Sequence, residues 1–117
     1  MLTMLLLALT AALSPALAQP GANEPRTTEA LLPHCSAALK PDAQDATGGR
    51  CLGIIATLSF VSRVLPDNLK FCQPPAATPA LIVQAIVAFA QANPESSAQD
   101  FRLVALAAMR DKWPCEE

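Results

Sequence analysis

Four cysteines, Cys35, Cys51, Cys72 and Cys115, set the strongest limit on how this 117-residue chain can fold, because what thiols do depends on the compartment they reach. The opening stretch, MLTMLLLALTAALSPALAQP, bears on that question. An apolar run from Leu5 to Leu13 leads to Pro15 and then to the small-x-small pattern Ala16, Leu17, Ala18, the layout of a secretory signal peptide cleaved after Ala18. The run is well short of the roughly 20 apolar residues needed to cross a bilayer, so residues 1–18 are expected to be an export leader and not a stable membrane anchor. The leader carries no Lys or Arg. All four cysteines follow it, and an even number of them in an oxidising compartment predicts two disulfides.

Residues 19–27 read as a flexible lead-in and residues 28–117 as one domain. A chain this small buries about two thirds of its unfolded surface, so covalent bracing matters. Four cysteines allow three pairings. The preferred one joins Cys35 to Cys51, cross-linking two helix ends across the loop PDAQDATGG, and Cys72 to Cys115, fastening the tail to the connector before the third helix. The sequence leaves the other two pairings open. By the chain-entropy argument the preferred loops are worth about 3 and about 4 kcal/mol, which compares with a total stability of about 5 to 15 kcal/mol for a small domain.

Hydrophobic periodicity predicts an all-α chain of about four helices packed as a compact bundle. The first runs from about Thr28 to Leu39, capped by Thr27 or Thr28, with Leu31, Cys35, Ala38 and Leu39 on one side. Pro33 within it predicts a kink or a restart. The second covers Cys51 to Leu65, where Cys51, Ile55, Leu58, Val61 and Leu65 line a stripe and Gly53 with Thr57 offer a small-residue face for close helix approach. Gly48-Gly49 before it reads as a turn. The third opens on Thr78 and Pro79, a capping residue followed by proline at the first helical position, and stops at Asn93 and Pro94. It is apolar on nearly every face, as expected of a central or subunit-covered helix. The fourth is expected to be capped by Ser97, with Asp100 answering in a shortened capping box. Phe101, Val104, Ala108 and Met109 form one apolar flank of it, Leu103, Leu106 and Ala107 another, and Trp113 is the last core side chain.

Charge and motif content exclude several function classes. Eight basic and ten acidic residues give a net charge of −2, and the basic residues are single and scattered, which argues against nucleic acid as a partner. No metal or organic cofactor is expected: CxxC is absent, and the lone histidine, His34, sits beside Cys35 rather than in a spaced ligand pair. His34 reads as an exposed or boundary residue. Asp42, Asp45 and Asp67 lie in loops beside Pro, Gly or Asn, where aspartate caps turns, and no carboxylate spacing marks a hydrolase pair. The chain is therefore expected not to be an enzyme.

Several segments carry a resemblance. CLGIIATL from Cys51, FCQP from Phe71, T-P-A from Thr78, AFAQANPE at the end of the third helix and LVALAAMRDKWPC at the end of the fourth together resemble the Rap/Tai family of immunity proteins over about 31–115. The family's Phe-Cys-x-Pro corresponds to Phe71, Cys72 and Pro74, its Pro-Glu to Pro94 and Glu95, and its closing aromatic-Pro-Cys to Trp113, Pro114 and Cys115. Ile54 stands where the family usually has tyrosine, Thr57 replaces a frequent second glycine, and a frequent aspartate falls near Phe60. The resemblance implies a small helical periplasmic protein that protects against peptidoglycan-cleaving amidase effectors of type VI secretion, by occlusion and often as a homodimer. Asp42, Asp45 and Asp67 are then the candidate partner-binding residues. The alternative is a periplasmic structural or stress-related interaction protein on the same scaffold, with no amidase partner.

Overall fold

A computed structural model describes residues 25–42 and 45–116; the leader and residues 19–24 of the lead-in lie outside the described residues. Among the described residues four α-helices make up the fold: α1 (Thr28–Ala38), α2 (Ala46–Val61), α3 (Pro79–Ala92) and α4 (Phe101–Lys112). A 3₁₀ turn over Ser62–Val64 extends α2, and another over Pro94–Ala98 joins α3 to α4. The main packing partnerships are α1 on α2 and α3 on α4. The all-α bundle expected from the periodicity is thus what forms, with both predicted disulfides, Cys35–Cys51 and Cys72–Cys115, in place.

The core is the sum of four stripes. Leu31, Cys35 and Ala38 come from α1, Cys51 and Ile55 from α2, Ile82, Val83 and Ile86 from α3, and Phe101, Val104, Ala105, Ala108 and Met109 from α4, with Phe71 added by the connector. Trp113, half-buried, packs against this cluster as expected. Each large side chain taken fully out of water contributes roughly 1.5–3 kcal/mol. Phe71, Phe101, Leu31, Ile86 and Met109 are the largest of them.

Several local expectations are corrected. α2 begins five residues earlier than the apolar run suggests, so Gly48 and Gly49 are helical and not a turn. Asp45 caps it, accepting a hydrogen bond from the Gly48 amide at 2.6 Å. The close helix approach is made by Gly48 rather than by the Gly53/Thr57 pair. A Cβ at Gly48 would stand 2.7 Å from the Ala38 Cβ and 2.9 Å from the His34 carbonyl oxygen, whereas Gly53 has nothing within 4 Å. α1 runs on through Pro33 without restarting there; the lost N–H falls on an exposed flank, where water can serve the orphaned carbonyl. Thr27 holds the cap position of α1 without a side-chain bond.

Ser97 does not cap α4. Asp100 does, accepting from the Arg102 amide at 2.9 Å while the Arg102 guanidinium grips both its oxygens, at 2.9 and 2.6 Å. The same stretch meets the start of α1 through an isolated antiparallel bridge between Thr27 and Asp100. The Thr28 amide donates to the Gln99 carbonyl at 2.9 Å, and the Phe101 amide to the Arg26 carbonyl at 2.7 Å. Buried Thr28 adds a hydroxyl bond to the same Gln99 carbonyl at 3.1 Å. Two helix N-termini thereby satisfy amides that have no partner within their own helices. The Arg102 side-chain hydrogen bond, more than any other cause, holds the Asp100 carboxyl down to about 2.

Two stability outcomes follow from these contacts. Gly48→Ala is expected to destabilise by about 1–3 kcal/mol through overpacking, while Gly53→Ala, in an open helical position, is neutral or stabilising by up to about 1 kcal/mol; urea unfolding of the two variants measures both. Asp100→Ala removes a cap worth about 1 kcal/mol at neutral pH. Because the folded carboxyl titrates below the unfolded one, that difference from wild type is full above about pH 4 and shrinks as the pH falls toward 2, which paired urea curves at pH 7 and pH 2.5 would register.

Candidate functional site

The three aspartates singled out in the sequence do not form one patch. Asp42 is exposed in the turn after α1. Asp45, three residues on, caps α2 with one carboxylate oxygen and places the other 3.0 Å from Nδ1 of His34 on α1. The Gly48 amide, followed by the His34 ring, holds its carboxyl below the usual range. Both of its oxygens are therefore engaged at the α1–α2 corner, with His34 at the protein's boundary, as expected.

Asp67 lies past the other end of α2, and a 16-residue helix spans about 24 Å. There it lines a charged cleft of ≈530 Å³ with Lys70, Arg110 and Glu116, floored by Pro114 and Cys115. The Cys72–Cys115 disulfide and the Cys72 amide, which donates to the Trp113 carbonyl at 2.8 Å, tie the connector and tail together at this cleft. The connector is held to α2 as well: the Ser59 hydroxyl lies 2.9 Å from Gln73 Oε1.

Two further surfaces stand out, of which the sequence pointed to the first through its nearly all-apolar third helix. One is a groove of ≈740 Å³ between α3, the connector and the end of α4, lined among others by Ala77, Leu81, Ala85, Phe89, Ala92 and Trp113. It makes sense of the nearly all-apolar α3: one side, Ile82, Val83 and Ile86, is core, while Leu81 and Ala88 stay exposed along the groove. The other is the outer face of α2, where Phe60 is 85% and Val64 81% exposed. Their signal was present as a second stripe, Gly53, Thr57, Phe60 and Val64, at the same helical spacing as the stripe assigned to the core. Ile54 is half-buried. On α4, Leu103 is exposed rather than part of an apolar flank.

All four sulfurs are held in disulfides, so no thiolate is available as nucleophile or ligand. Among the described residues, no group of three or more His, Cys, Asp or Glu side chains could hold a metal ion, and no helix is long and apolar enough to cross a membrane. What the geometry does present is a cross-linked helical frame with two clefts and an uncovered apolar helix face, which is the equipment of a small binding protein. The family model of the Rap1a immunity proteins matches residues 27–115, and the chain belongs to that family, in agreement with the resemblance carried by its Phe-Cys-x-Pro and Trp-Pro-Cys segments. Comparison with curated proteins and with solved structures gives no match.

The different employment of the two neighbouring aspartates is directly measurable. Asp45→Ala is expected to lower the urea unfolding midpoint at pH 7, because α2 loses its cap and α1 its His34 contact. Asp42→Ala should stay within about 0.5 kcal/mol of wild type, as surface changes away from such features do.

Proposed function

We propose that the protein is exported to the periplasm with removal of residues 1–18, and that it there binds a secreted peptidoglycan amidase effector and occludes its substrate groove. The observation that carries this reading is membership of the Rap1a immunity protein family across 27–115. Family membership implies a cognate effector; the amidase is our narrower assignment. Two formed disulfides fit an oxidising destination. They also supply the physical basis of inhibition, since loops fixed on a cross-linked frame lose little freedom on binding and more of the contact energy appears as affinity. Of the three aspartates, Asp42 and Asp67 have carboxylates that can face a basic rim, whereas Asp45 is engaged within the fold. The protein acts by binding and not by turnover, and a homodimer is the assembly in which relatives are expected to work.

A second reading is favoured by the apolar groove along α3. The same scaffold would serve as a periplasmic structural or stress-related interaction protein, with that groove as its contact surface and no amidase partner.

Titrating the exported protein into a peptidoglycan digestion assay with any secreted amidase found encoded beside its gene separates the two. Stoichiometric loss of cleavage, complete near equivalence, is the expected result. Unchanged cleavage with no complex on size-exclusion chromatography rejects the immunity assignment, and binding without inhibition favours the second reading.

A further inference from the structure

The outer face of α2 is chemically unlike the rest of the surface. Gly53, Ala56, Thr57 and Phe60 lie on the side of the helix opposite buried Cys51 and Ile55, and the 3₁₀ turn continues that side with Val64. Phe60 at 85% and Val64 at 81% are the two most exposed large apolar side chains of the described protein. Beside Gly53 the surface dips into a shallow depression of ≈360 Å³ bordered by Arg50, Ile54, Thr57 and Leu58, and nothing stands within 4 Å of where a Gly53 Cβ would be. Knob and dent are seven residues apart, about 10 Å along the helix. The only charge between Cys51 and Pro66 is Arg63, exposed between Phe60 and Val64 and, among the described residues, engaged in no hydrogen bond or ion pair.

We infer that this face is the principal contact for a protein partner that offers an apolar pocket to Phe60 and a carboxylate to Arg63. The inference rests on the immunity reading, in which that partner is the effector, and moves the main contact from the aspartate loops to α2. An exposed aromatic next to an unpaired arginine is the composition of an interface hot spot. The helix carrying them is fixed by the buried Cys35–Cys51 cross-link and by the Ser59–Gln73 contact, so the pair is presented with little ordering cost. Charge selects the occupant. A second copy would meet the patch with itself about a two-fold axis, bringing two Arg63 side chains together on a stripe that has no acid to offset them. Asp67, the nearest acid in sequence, belongs to the cleft with Lys70 and Arg110. A partner with an acidic rim satisfies what a second copy leaves opposed.

The test uses the exported protein, wild type and the variants Phe60→Asp and Arg63→Glu, with any secreted amidase found encoded beside the gene as the probe in calorimetric titrations. Sedimentation of each protein alone is run alongside. Both side chains are exposed, so unchanged helical circular dichroism is expected in both variants. Phe60→Asp should weaken binding by at least about thirtyfold and Arg63→Glu by about tenfold or more, with the sedimentation state of wild type kept in both variants. Wild-type affinity retained in both variants overturns the placement on α2 and leaves the immunity reading standing. A wild-type dimer dispersed by Phe60→Asp assigns the face to a second copy and overturns the inference. No affinity of wild type for the amidase removes the immunity reading and this inference with it.

Discussion

The seam between α1 and α2 is the constraint on which the remainder of the structure depends. Cys35 and Cys51 are fully buried there, with Cα atoms 5.5 Å apart, and Gly48 lets the Ala38 side chain and the His34 carbonyl approach where any Cβ would collide. Asp45 closes the corner by capping α2 and reaching His34. A covalent cross-link, a missing side chain and a cap thus converge within two turns of each helix. They fix the direction of α2 relative to α1, and therefore where the far end of α2, with Phe60 and Arg63, is presented.

The second half of the molecule is organised by different means. α3 and α4 pack through ordinary apolar burial, and the Cys72–Cys115 link then binds the connector to the tail. Phe71 goes into the core one residue before that link, and Trp113 packs against it two residues before the other cysteine. The disulfide therefore holds two aromatic anchors in register, and the space they leave beside α3 becomes the apolar groove. The bridge between Thr27 and Asp100 completes the closure by joining the start of α1 to the start of α4.

A frame of this kind suits recognition. The clefts and faces are made by side chains on helices or within a few residues of a disulfide, so their positions are set before any partner arrives. Chemistry is distributed rather than gathered: Asp45 works as a cap, Asp100 as a cap gripped by Arg102, and the sulfurs as cross-links. The surfaces left over are an apolar groove, a mixed-charge cleft and an uncovered helix face whose charges, Arg50 at its depression and Arg63 beside Phe60, are both basic.

The residues alone determined that the chain would be helical and doubly cross-linked, because 3.6-residue periodicity, Thr78-Pro79 and an even set of cysteines around loops are local signals; they favoured the pairing that forms, and the tertiary structure decided it. They also carried the family resemblance, since its motifs are structural cysteines, prolines and aromatics. Which glycine the helices needed was decided only by packing: Gly48 and Gly53 both sit in small-residue surroundings in the sequence, and only the crossing of α1 over the first turn of α2 distinguishes them. Which stripe of α2 faces water was likewise a tertiary outcome. Two apolar stripes share one helix and one period, and burial follows from what the Cys35–Cys51 link turns toward the core. That is why Phe60 could not be placed from its sequence, and why three aspartates alike in their loops ended with three different surroundings.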